Sequence, residues 1–132
     1  MSFASARWSK LAPDPSVTPQ GERYERAAEA MLKAAGLTLV ERNWSCRMGE
    51  IDLIMREGNT LVFVEVRKRD SARFGGAGAS IGPQKRARLE RAIGLYLSTL
   101  ARTPICRVDA VLFEGGANAR WIKNIFEGES FG

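Results

Sequence analysis

The chain has 132 residues, 45% hydrophobic and 27% charged, enough for one domain with a single core and too little for two. It contains no histidine and only two cysteines, Cys46 and Cys106. Ser-His-Asp, Cys-His and histidine-ligated zinc chemistry are therefore excluded, leaving carboxylates, Lys, Arg, Tyr or a hard cation for any catalysis. Twenty basic residues against fifteen acidic ones give +5, a balance that favours anionic partners.

Residues 1–17 have no apolar period and read as a mobile N-terminal arm, ahead of a single domain over 18–132. They contain no apolar signal-like stretch, and nothing in the chain approaches the roughly 18 apolar residues that cross a bilayer. A cytoplasmic protein with no membrane partner is expected. Thr18 reads as an N-cap with Pro19 at the first helical position. Tyr24, Ala27, Ala28, Met31, Leu32 and Ala35 then recur at helical spacing, and Gly36 closes the helix. Leu37–Trp44, Glu50–Arg56 and Leu61–Arg69 read as strands, the last two joined as an antiparallel hairpin through Glu57-Gly58-Asn59-Thr60. Asp70–Gly82, rich in glycine, reads as a flexible loop. Pro83 opens a second helix with an apolar arc of Leu89, Ala92, Ile93, Tyr96, Leu97 and Leu100. Ile105–Phe113 alternates as a fourth strand, and Arg120–Phe126 reads as a short fifth. The order is α-β-β-β-α-β, with a helical crossover to the fourth strand.

Two carboxylates interrupt the apolar strands. By strict alternation, Glu50 and Asp52 share one face and Ile51 and Leu53 the other, while Glu65, Arg67 and Arg69 extend the Leu61/Phe63 face. A carboxylate inside such a strand costs several kcal/mol unless it is paired or binds a cation. Spacing alone leaves open an Asp52–Arg67 or Glu65–Arg67 ion pair and a metal site. Without histidine, an all-oxygen site selects Mg²⁺ or Mn²⁺. Between Arg67 and Arg91 lie eight basic residues and two acids, more than the whole net excess. Lys68, Arg69, Arg73, Arg86 and Arg88 in this stretch are the candidate nucleic-acid contacts. Trp44, Phe74 and Trp121 could stack on bases, but core or edge packing is the favoured role of each. Asp109 shares a strand face with Arg107 and reads as its structural partner.

Gly21-Glu22, Arg42-Asn43-Trp44, Gly49-Glu50-Ile51-Asp52-Leu53-Ile54, Leu61–Val66, Phe74-Gly75, Lys85 with Arg88-Leu89, Tyr96-Leu97 and Arg107-Val108-Asp109 resemble, in order, the YraN-like family of small bacterial proteins. The resemblance runs from about Gly21 to Phe126. That family is itself similar to the restriction-endonuclease-like superfamily, including the archaeal Holliday-junction resolvases. It implies a three-layer α/β/α core with a central mixed sheet and Mg²⁺- or Mn²⁺-assisted hydrolysis of phosphodiesters in branched or structured DNA. On that resemblance Asp52 is the first-strand acid, Glu65 the acid of an acid-x-Lys pair, and Glu22 the helical acid that completes the metal set. The lysine position of that pair is Arg67, which stays protonated and can stabilise charge without acting as a base. Lys85 lies in the apolar arc of the second helix, so it either leans toward the sheet as the substitute lysine or snorkels outward from the first turn. A decayed nucleic-acid-binding module on the same fold is the alternative, and a two-fold homodimer suits an enzyme that cuts paired strands.

Overall fold

A computed structural model of the chain describes residues 19–69, 82–114 and 118–126. The expected arm, the Thr18 cap, most of the glycine-rich loop with Arg73 and Phe74, and the side chain of Arg69 lie outside the described residues.

The first helix, α1 (Pro19–Ala34), ends where Gly36 takes φ +105° and Leu37 N–H donates back to the Leu32 carbonyl at 3.0 Å. Three strands follow: β1 (Thr38–Cys46), β2 (Gly49–Glu57) and β3 (Thr60–Arg69). They form an antiparallel meander. Helix α2 (Pro83–Ser98) then carries the chain to β4 (Ile105–Glu114), which pairs parallel to β3 from Thr60↔Ile105 to Arg69↔Glu114. The last strand, β5 (Ala119–Ile122), is antiparallel to β4. Spatial order equals chain order, β1-β2-β3-β4-β5, and the sheet is mixed.

Each helix covers one face. Ala28 and Leu32 of α1 pack with Leu53, Met55, Val62, Val64, Val111 and Phe113. On the other face Leu89, Ala92, Ile93 and Tyr96 of α2 pack with Trp44, Ile51, Ile54, Phe63 and Val108. The apolar arc expected of the second helix is the buried one, with Leu97 and Leu100 at its margin. Helix, sheet and helix thus form three layers, and burial of aliphatic side chains on both faces drives their assembly. No helix among the described residues is long and apolar enough to cross a membrane.

Two expectations need correction. Strict alternation puts Ile51 and Leu53 on one face; in the structure Ile51 packs under α2 and Leu53 under α1, because the β1–β2 hairpin is kinked between them. The fifth strand stops at Ile122 and does not reach Phe126. Asn124 adopts φ +59°, its N–H donates to Asp109 Oδ1 at 2.9 Å, and Ile125 N–H donates to the Val108 carbonyl at 2.7 Å. The chain therefore turns, and Phe126 is buried against the α2-side core.

Candidate functional site

Asp52 stands where β2 and β3 part. The ladder between them runs from Glu57↔Thr60 to Leu53↔Val64. Just beyond, Val66 N–H donates to Asp52 Oδ2 at 2.8 Å, so a side chain accepts from the β3 amide. Burial pushes the Asp52 carboxyl well above the usual range, and the charge of Glu65 raises it further. The Val66 hydrogen bond opposes that rise, while Glu25 and Glu50 add to it. Four carboxylates from α1, β2 and β3 therefore share one electrostatic neighbourhood.

Glu65 is 2% exposed. Its Oε2 is buried without a hydrogen-bond partner, although Lys85 Nζ lies 2.9 Å away and Arg67 Nη1 3.7 Å away. Lys85 leans toward the sheet while its side chain stays 44% exposed: α2 starts above the sheet and its first turn brings the ammonium onto Glu65. Arg67, two residues along β3, pairs with Glu65 from the same face, one of the two ion pairs the spacing allowed. Beside them opens a cleft of about 370 Å³ lined by Ser45, Cys46, Gly49, Glu65, Lys85 and Arg88 among others. Glycine suits position 49: a Cβ there would sit 3.2 Å from the Arg88 carbonyl oxygen, a tight approach. The hairpin end is thus seated directly on α2.

Glu22 is not brought to this site. It is half exposed and faces Arg26 at 3.6 Å, one helical turn away. The α1 acid that acts on Asp52 is Glu25, which the sequence reading missed. The available signal was helical spacing, since Glu25 precedes Ala28 and Leu32 by three and seven residues and shares their inward face. The next inward acid, Glu29, is fixed structurally. Burial raises its carboxyl, but hydrogen bonds from Arg42 at 2.6 and 2.9 Å and from Lys33 outweigh that effect and hold it below its ordinary value.

The basic stretch is divided among several roles. Arg88 borders the cleft. Arg86 lies 4.4 Å over the Phe126 ring and 3.7 Å from Glu90, so it supports packing as well as charge. Lys68 sits over Tyr24 of α1, on a different part of the molecule. Trp44 and Trp121 take packing roles. Trp44 is buried edge-on to Tyr96, with centroids 5.2 Å apart. Trp121 Nε1 donates to Asp109 Oδ2 at 2.9 Å. Asp109 is fully buried and also accepts from Arg107 at 3.0 Å, as its shared face implied.

The chemistry of the donor set suits a hard divalent ion. Asp52 offers a half-buried carboxylate and Glu65 a buried oxygen without a hydrogen-bond partner, and Mg²⁺ commonly takes only one or two protein carboxylates, with water and substrate completing its shell. Among the described residues no three His, Cys, Asp or Glu side chains lie close enough together to hold an ion unaided.

The model of the uncharacterised protein family UPF0102 matches residues 24–113. The chain belongs to this family. Its UPF0102 relatives include a protein of Nitrosospira multiformis, 52% identical over 110 residues, covering 82% of this chain and 92% of the relative. Another, from Cupriavidus metallidurans, is 52% identical over 116 residues and covers 87% and 86%. A third, from Neisseria gonorrhoeae, is 50% identical over 107 residues and covers 80% and 93%. The UPF0102 match agrees with the YraN-like resemblance of the motifs. Among solved structures, the chain is similar to the Holliday junction resolvase Hjc of Archaeoglobus fulgidus, at 18% identity and TM-score 0.48 over 83% of this chain and 82% of that one.

Proposed function

We propose that this UPF0102 protein is a nuclease that hydrolyses phosphodiester bonds in branched or structured DNA with the help of Mg²⁺ or Mn²⁺. The observation that carries the reading is the Lys85 ammonium 2.9 Å from a buried Glu65 oxygen, with Arg67 3.7 Å from the same atom, at the edge of a cleft. A second carboxylate, Asp52, carries a raised proton affinity through burial and the charges of Glu65 and Glu50, both of which line the cleft. A strongly perturbed acid coupled to carboxylates of a cleft wall is a candidate functional group.

Asp52 and Glu65 would hold the ion, which supplies charge stabilisation to the reacting phosphoryl group when bound. Lys85 then takes the part that the β3 position cannot. Arg67 is permanently charged and stabilises developing negative charge. Lys85 would orient the attacking water and the scissile phosphate. Arg88, on the cleft wall, contacts a flanking phosphate. A two-fold dimer would present two such sites to paired strands.

A decayed, binding-only module is favoured by one observation: the position two residues after Glu65 is Arg67, so the usual water-orienting lysine has left β3. Cleavage assays on four-way junction, flap, single-stranded and duplex DNA with Mg²⁺ or Mn²⁺ separate the two. The nuclease reading expects cleavage by wild type, its loss in Asp52→Asn, and a drop of about 10²–10⁴-fold in Lys85→Ala with DNA binding retained. Arg67→Lys should keep or raise the rate. Binding without cleavage by wild type on every substrate would establish the decayed module, and wild-type rates in Lys85→Ala would remove Lys85 from the mechanism.

A further inference from the structure

We propose that Asn43 is the positioning residue of Asp52: its left-handed backbone makes the kink that turns Asp52 out of the ladder and onto the Val66 amide. The inference rests on reading Asp52 as a site carboxylate and identifies what sets its geometry.

In an unbroken strand, residues two apart share a face. On β1 the rule fails between Arg42 and Trp44. Arg42 reaches Glu29 of α1, whereas Trp44 meets Tyr96 of α2. On β2 it fails between Leu53, packed under α1, and Ile51, packed under α2. These four residues are cross-strand partners, Arg42↔Leu53 and Trp44↔Ile51. Both strands of the hairpin therefore change face across one step, and the residues inside that step are Asn43 and Asp52.

Asn43 has φ +49°. Left-handed backbone in mid-strand is costly for most L-residues and is best tolerated by Gly, Asn and Asp. The neighbouring strand does not follow the kink. β3 continues straight along β4 through Glu65↔Ala110 and Val66↔Val111, so β2 leaves it at Asp52. The Val66 N–H, which a β2 carbonyl would meet in an unbroken ladder, is met by Asp52 Oδ2 at 2.8 Å. The carboxylate's place is thus a consequence of the kink. The Asn43 amide oxygen is buried with no hydrogen-bond partner, so the backbone conformation, rather than a bond to that oxygen, is what the geometry requires.

The test uses the full chain and compares Asn43→Gly, which permits left-handed backbone, with Asn43→Ala and Asn43→Val, which oppose it. Two quantities are read: hydrogen-exchange protection of the Val66 amide, and the Mn²⁺ dissociation constant from titration. Asn43→Gly should keep Val66 protection close to wild type, while Asn43→Val should lose about 10-fold or more there, the scale of a disfavoured left-handed residue. Mn²⁺ binding should weaken about 10-fold or more in Asn43→Val and not in Asn43→Gly, as when a group orienting a metal ligand is lost. Amides of the β3–β4 ladder, such as Val108, serve as the internal control for simple destabilisation. Asn43→Ala carries the same comparison if Asn43→Val does not fold. Equal Val66 protection in Asn43→Gly and Asn43→Ala would overturn the proposal, as would a loss in Asn43→Gly as large as that in Asn43→Ala. If Val66 protection separates the variants but wild type binds no Mn²⁺, the kink assignment stands and the metal reading of Asp52 fails.

Discussion

Asp52 is the residue whose chemistry departs furthest from its ordinary behaviour. Burial raises its carboxyl first and the Glu65 charge second. Its folded-state pKa therefore lies above the unfolded value of about 3.9. The contribution of this group to stability is complete below that unfolded value and is lost as pH rises through the raised folded value. The carboxamide introduced by Asp52→Asn cannot ionise and can still accept from Val66 N–H. Asp52→Asn should therefore match wild type near pH 4 and exceed it by about 1 kcal/mol or more at pH 8, as measured by urea melts at both values. A loss of about 3 kcal/mol at both pH values would mean that Asp52 is half of a buried ion pair instead. The two central acids were legible in sequence because a charge inside an apolar strand demands an explanation. Lys85 was legible through its place in the α2 arc. Glu25 was not, because the motif points to Glu22 while helical phase, the physical determinant of facing, favours Glu25.

At the scale of elements, the helices could be read from apolar periodicity, which burial enforces on both faces, and the β2–β3 hairpin from its short turn; that β4 lies beside β3 is not carried by either signal. The kink at Asn43 could not, since a period-two reading has no means of expressing one left-handed residue. The course of the chain after β5 was hidden for a related reason: Arg120–Phe126 alternates passably, but side-chain acceptors redirect it. Asp109 takes hydrogen bonds from Arg107, Trp121 and the Asn124 amide, and Arg107 also reaches Glu57 at 2.7 Å. This carboxylate ties β2, β4, β5 and the final turn together. Asp109→Ala strands an arginine and an indole donor, and should cost about 3–5 kcal/mol by thermal or urea denaturation. Asp109→Asn, which keeps part of the acceptor set, should lose less. A loss under about 1 kcal/mol in Asp109→Ala would show that the network does not hold this corner.

Across the whole molecule, the basic excess that marks the sequence is not one continuous face. Lys85 and Arg88 line the cleft, Arg67 pairs with Glu65, Arg86 packs on Phe126, and Lys68 lies over Tyr24. If about six phosphates are contacted, DNA affinity should fall about 10³-fold or more between 50 and 200 mM salt. Arg88→Ala should lower the salt slope by about one without loss of stability. Arg86→Ala should instead lower the melting temperature, because its guanidinium stacks on a buried ring. An affinity that does not change with salt would remove nucleic acid as the partner. The claim on which the functional account turns is that Asp52 and Glu65 form a divalent-cation site guarded by Lys85. Anomalous diffraction from crystals soaked in Mn²⁺ near pH 8 tests it most directly. A peak between the Asp52 and Glu65 carboxylates is expected, with displacement of Lys85 Nζ from Glu65 and no peak in Asp52→Asn; a Lys85–Glu65 contact unchanged in saturating Mn²⁺, with no peak beside Asp52, would rule the cation site out.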